Sequence, residues 1–387
     1  MFEFLSRFVP RSAVVVLLML TLAAVAGFAA VSHLVTRFSL NQQARGRKLY
    51  AQGLADLNGE SPQRAIQELQ AALVCDRGNS QYQLSLARAL RDAGRLDEAQ
   101  SYLESLWQGA PDDGTINLAL ARVAARRGSL DDAMRYYHNA MYGVWHSEAD
   151  ENRRKARIEL VEFLLQKNAN AQAQSELLAL AAFLPSNPDL ELRAAELLAQ
   201  ARDYPDALAE YEKVLHHERH ELPALVGAGQ VAYQAGRYRT AARYLQEAVN
   251  ADPEDSNSRK LLTSANMILQ TDPFVQRISD AERNRRIAAA FSRAGDRLDS
   301  CAQQKGERLG PAAPESAESP LAQLYARWQA TRPDVRRLRY AGETDLPDVI
   351  MDLVFQIEQE TATECGEPQG ADQALLLISR NREAADR

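Results

Sequence analysis

The chain has 387 residues, of which 46% are hydrophobic and 25% charged, and a formal charge of -7. That composition permits a packed core and argues against wholesale disorder, while the mild acidity argues against nucleic acid as a partner, which needs a strong basic footprint. Ala, Leu, Arg, Glu and Gln dominate over strand-forming runs, the balance of an all-α chain.

The N-terminus carries the first element. No Asp, Glu, Lys or Arg occurs from Ser12 to Thr36, a stretch long enough as a helix to cross a hydrocarbon core of about 30 Å. Arg7 and Arg11 precede it; Arg37, Arg45, Arg47 and Lys48 follow. The expectation is a tail at 1–12 and an uncleaved transmembrane signal anchor at 13–35. The competing reading is a cleaved signal peptide with its site near Gly27-Phe28-Ala29. His33 is read as a boundary residue. Orientation is contested: denser cations after the helix favour a cytoplasmic body, whereas a short basic tail before a first apolar helix is how exported bacterial anchors begin. The expected place is the bacterial inner membrane, with the body extracytoplasmic.

Beyond the anchor the chain is self-similar. Gly94-Arg-Leu-Asp-Glu-Ala99 recurs as Gly128 to Ala133 and Gly236 to Ala241, with degenerate copies at Asn168 to Ala173, Arg202 to Ala207 and one ending at Ala65. Four of the five spacings between these alanines are 34 residues and one is 40. Each unit places a small residue on a first helix (Gly53, Ala87, Ala121, Ala195, Gly229, with Val161 the exception). After a turn, the repeated Ala is followed four residues on by Leu69, Leu103, Tyr137, Leu177, Tyr211 or Leu245. Small residues let two helices approach, and the i, i+4 pairing keeps one face apolar. Pro111, Pro185 and Pro253 close units where a helix must stop.

This pattern resembles the tetratricopeptide repeat family over residues 46–255, as six units: 46–79, 80–113, 114–153, 154–187, 188–221 and 222–255. The resemblance implies a right-handed superhelical solenoid with a concave groove lined by first helices. By alignment, Tyr50, Leu54, Arg88, Arg91, Arg122, Arg126, Gln230, Tyr233 and Gln234 line that groove. Four arginines there suit an acidic or C-terminal peptide; the alternative is that they pair with Asp92 or other acids on a solvated face. The Lys and Asn positions of the family's carboxylate-clamp subclass are not found. The six extra residues of the third unit, around Gly143 to Asp150, are read as a lengthened second helix or a loop, with simple insertion drift at least as good an account of them as a binding role.

Residues 256–272 read as a capping helix within 256–305, followed by a helix from about Phe274 to Gln304 whose Ile287, Ala290, Phe291, Ala294 and Leu298 make one apolar face. Residues 306–320 are linker-like, and 321–387 form a small helical C-terminal segment with helices at 321–330, 346–360 and 374–379. Arg332, Arg336, Arg337 and Arg339 read as a solvated face. Cys301 and Cys365 end the helices flanking this linker, so a disulfide between them, or two unrelated thiols, is open; Cys75 is the third cysteine.

No phosphate-binding loop, dinucleotide fingerprint, nucleophile elbow or HExxH occurs. In the cluster His216, His217 and His220, helical spacing would put His216 and His220 on one face as a two-ligand metal edge; the reading preferred is histidines complementing a helix end, so no metal, cofactor or catalytic residue is expected. The function expected is a membrane-anchored protein-interaction scaffold in envelope assembly or secretion. The rivals are an accessory factor in cytochrome c or envelope maturation and, in another class, an enzyme acting through 321–387.

Overall fold

The computed structural model describes residues 11–309, 319–338 and 345–385; the tail before Arg11, most of the linker and Arg339 lie outside the described residues. Regular structure among the described residues is helical, and the chain divides into two units, the first ending at Glu176 and the second starting at Leu177.

The first unit opens with α1 (Arg11–Asn58), a single 48-residue helix. It runs unbroken from the apolar stretch into the first repeat, where Gly53 meets the Leu69 side chain of α2 (Pro62–Cys75). Val16, Leu20, Leu22, Phe28, Leu34 and Phe38 on its N-terminal part are all exposed. Hairpins α3 (Ser80–Asp92) with α4 (Leu96–Gly109), and α5 (Gly114–Arg127) with α6 (Leu130–Tyr142), follow. Then come α7 (Ala149–Gln166) and α8 (Asn170–Ala181), the latter leading into the second unit.

The repeat has one backbone signature. A residue with positive φ starts each turn between paired helices: Glu60, Gly94, Gly128, Asn168, Arg202 and Gly236. The left-handed conformation is nearly free for glycine and costs other L-residues about 1 kcal/mol. The recurring glycines mark that conformation, and the fold imposes it even on Glu60 and Arg202. Five residues on, the repeated alanines at 65, 99, 133, 173, 207 and 241 are all 0% exposed, because each lies where two helices touch. The large residues four further on are buried as well.

The six extra residues neither extend α6 nor hang free. After Tyr142 the chain folds back, the Gly114 amide donates to the Val144 carbonyl at 2.8 Å and the Val144 amide to that of Asp112 at 2.8 Å. Trp145 lies over Gly114 and donates its indole N–H to the Ala140 carbonyl at 2.8 Å. The remainder lengthens α7.

In the second unit, α9 (Pro188–Gln200) pairs with α10 (Tyr204–His217), and α11 (Leu222–Gln234) with α12 (Tyr238–Ala251). The helices α13 (Ser256–Thr271), α14 (Asp280–Lys305), α15 (Pro320–Arg337), α16 (Leu346–Cys365) and α17 (Gly370–Ala385) complete it. The α14 helix starts at Asp280, later than the apolar spacing suggests, because Ser279 caps it by accepting from the Glu282 amide; the charged run from Glu282 to Arg286 therefore lies at its start and not in its middle. Ile268, Ile287, Phe291, Leu298, Leu321, Ile350, Val354, Leu375 and Ile378 build one core from five helices. Cys301 and Cys365 are disulfide-bonded, joining α14 to the end of α16, with Cα atoms 5.7 Å apart. Packed against α13 is not the next helix in the chain but α17, which arrives a hundred residues later.

Candidate functional site

In the first unit, α3, α5 and α7 present one face to a cavity of about 670 Å³. Arg88, Arg91, Arg122 and Arg126 line it together with Asp92, Tyr137, Glu159, Glu162 and Phe163. The spacing explains the convergence: Arg88 and Arg122 are one 34-residue repeat apart, as are Asp92 and Arg126, so stacked hairpins bring them to equivalent places.

Three of the four guanidinium groups are engaged within the chain. Arg91 makes a fork with Asp92 (2.9 and 2.7 Å), and Arg88 approaches the same carboxylate at 3.9 Å. Arg122 holds Glu159 by two bonds of 2.8 and 2.6 Å, which raise its own pKa. The buried Tyr137 hydroxyl faces that pair, and burial followed by the Glu159 charge pushes its pKa up. Arg126 is exposed and has no ion pair among the described residues. Arg88 is loosely held and half of its side chain is open to solvent. Both readings of the arginines thus have a structural counterpart: internal pairing at Arg91 and Arg122, an available cation at Arg126 and Arg88.

Other aligned positions lie elsewhere. Tyr50 stacks on Tyr82 with ring centroids 4.6 Å apart and is 3.3 Å from the Ser85 hydroxyl, and Leu54 packs on the first unit's core. In the second unit Gln230 is half-buried and Gln234 exposed, while the Tyr233 hydroxyl bonds Ser264 of α13 at 2.7 Å. Tyr137, read from the sequence only as a packing residue, and Glu159 and Phe163 were not among the groove positions. The signal that reaches them is the i, i+4 step from Ala133 to Tyr137 and, for Glu159 and Phe163, the repeat offset interrupted by the extra residues.

His216 and His217 meet edge-on at 5.7 Å, and no group of His, Cys, Asp and Glu among the described residues is arranged to hold a metal ion.

Comparison with known proteins returns tetratricopeptide repeat models at residues 90–141 and 198–265, and a further one at 50–113. No curated protein matches the chain. Among solved structures, PilF of Pseudomonas aeruginosa is 16% identical, with 57% of this chain and 97% of that one covered and a TM-score of 0.40. PilW, a type IV pilus biogenesis factor, is 17% identical, with 56% and 98% covered and a TM-score of 0.41. The C-terminal part of a repeat protein from Cytophaga hutchinsonii is 12% identical, with 62% and 92% covered and a TM-score of 0.45. The 34-residue period, the positive-φ turn of every hairpin and the matched models lead to one conclusion: this chain is a tetratricopeptide repeat protein.

Proposed function

We propose that the protein is a membrane-anchored scaffold that holds a partner peptide in the arginine-lined cavity of its first unit, in a cell-envelope assembly. The observation that carries this reading is the cavity itself, in which the exposed Arg88 and Arg126 share one lining with Arg91 and Arg122. An acidic side chain or a C-terminal carboxylate would meet Arg126 directly and compete with Asp92 for Arg88; forked guanidinium groups favour such planar anions. The apolar part of α1 is long enough to span a bilayer and is left exposed by the described residues, which supports anchoring. The Cys301–Cys365 bond supports a body in an oxidising compartment.

The test is photocrosslinking in intact cells from positions 88 and 126, with exposed Glu104 of α4 as control. A defined adduct from 88 and 126 but not from 104 is expected. Adducts from all three positions alike, or none from the cavity, would overturn the reading. A single exposed cysteine at position 104 should react with a membrane-impermeant thiol reagent in whole cells; reaction only after lysis would place the body in the cytoplasm.

A further inference from the structure

The α13 helix keeps the register of a first helix. Ser264 and Met267 stand 34 residues after Gln230 and Tyr233, and one repeat model runs on to residue 265. The helix that follows in sequence does not pair along it: α14 meets the end of α13 through Arg286, which donates to the Leu269 and Asp272 carbonyls at 2.8 Å, and α17 packs against α13 instead. This substitution leaves a cleft of about 430 Å³ between the two, lined by Ser256, Arg259, Lys260, Thr263, Met267 and Gln373. That volume is within the range of natural ligand sites.

The charge in this cleft is less committed than in the first unit. Arg259 and Lys260 are both exposed and make no ion pair among the described residues. The nearest acid in sequence, Asp255, caps α13: it accepts from the Asn257 amide at 2.9 Å and the Ser258 hydroxyl at 2.5 Å, and the Arg259 charge contributes to lowering its pKa. On the α17 side, the one acid of the first turn, Asp372, is half-buried and answered by the charges of Arg293 and Arg297 of α14. Met267 supplies an apolar floor, and Ser256, Thr263 and Gln373 offer hydroxyl and amide groups at peptide scale.

We infer that the cleft between α13 and α17 is a second peptide-binding site, taking an acidic segment of a partner protein. Two cations with neutral hydrogen-bonding groups suit an extended acidic peptide. A nucleic-acid backbone asks for a longer basic track than this. The inference extends the proposed scaffold role to a second site and stands on different residues from the first.

The test uses the full chain in detergent micelles with a fluorescein-labelled hexa-aspartate peptide carrying a photoreactive group, and hexa-serine as the neutral control. Adducts mapped by mass spectrometry should fall on α13 and α17. Combined Arg259→Ala and Lys260→Ala substitution, both on the exposed face, should remove those adducts and weaken binding to that site at least tenfold, whereas Arg88→Ala with Arg126→Ala should leave them in place. Adducts confined to α3, α5 and α7 would overturn the second site while leaving the first; adducts on α13 and α17 alone would support the second and count against the first. Adducts equal in yield with hexa-serine, or insensitive to Arg259→Ala with Lys260→Ala, would overturn it too.

Discussion

Glu358 of α16 is fully buried, and neither carboxylate oxygen has a hydrogen-bond partner among the described residues. Burial first, then the negative charge of Asp372, push its pKa up to about 8, against the opposing pull of Arg297. Two charges reach it, Arg297 from α14 and Asp372 from α17, and Asp372 is itself faced by Arg293, Asp296 and Arg297 of α14. An unfolded glutamate titrates near its ordinary value of 4.5. Between there and about pH 8 the folded chain therefore keeps a proton that the unfolded chain releases. Stability falls as pH rises through this window and levels off above it, by about 1.4 kcal/mol per unit and about 5 kcal/mol in full. Glu358→Gln removes the titration. Hydrogen–deuterium exchange of α16 and α17, compared between variant and wild type at each pH so that intrinsic exchange cancels, measures the difference. The variant's advantage should grow from pH 5 to 8, by about 3 kcal/mol at neutrality relative to acid pH. A constant offset would reflect only the buried amide's own hydrogen-bonding cost. A difference that does not change with pH would refute the argument.

Packing and backbone carry the other expectations. Gly94→Ala forces a side chain into positive φ and should cost about 1 kcal/mol, whereas Arg202→Gly should gain up to about 1 kcal/mol in urea unfolding. A Cβ at Gly229 would lie 2.6 Å from Leu245 Cγ, so Gly229→Ala should destabilise by about 1–3 kcal/mol, while Gly78→Ala, with nothing within 4 Å, should not. Reducing the Cys301–Cys365 bond, which closes a 64-residue separation, should lower stability of the second unit by about 4 kcal/mol, visible as a lower melting temperature with reductant that Cys301→Ser with Cys365→Ser reproduces.

The repeats were legible because their constraint is local and periodic. A small residue at a crossing and a turn requiring positive φ leave a mark every 34 residues, and even the degenerate Glu60, Asn168 and Arg202 turns were found from the alanine five positions on. The arginines of the first cavity were legible for the same reason, since Arg88 and Arg122 occupy equivalent steps. Their partners were not: Glu159 sits beyond the six extra residues, so counting by 34 misses it. Trp145 over Gly114 was invisible because nothing in the spacing couples an inserted loop to the start of α5. The C-terminal helices showed apolar faces, but a face does not name its partner, and the pairing of α17 with α13 spans a hundred residues of chain.

The unbroken course of α1 constrains how an anchored scaffold would work. Residues 36–45, which the sequence leaves between an apolar span and the first repeat, carry no proline or glycine, and the structure continues the helix through them. Ten helical residues extend about 15 Å. With the apolar part in a bilayer, the first repeat would stand at a set height and azimuth instead of swinging on a tether. Gly46, the glycine of α1 that directly follows this connector, is buried where α1 lies against α2, with Cys75 Cβ 3.1 Å from where its own Cβ would be. A side chain there would press on Cys75 and meet the Ala72 carbonyl of α2, so this close approach favours glycine and ties α1 to the first repeat. A Gly-Ser insertion after Ser39 would break this coupling without touching the repeats. If a fixed height matters, the crosslinks from positions 88 and 126 should be lost although the repeats remain folded; if they persist, the anchor does no more than concentrate the protein at the membrane.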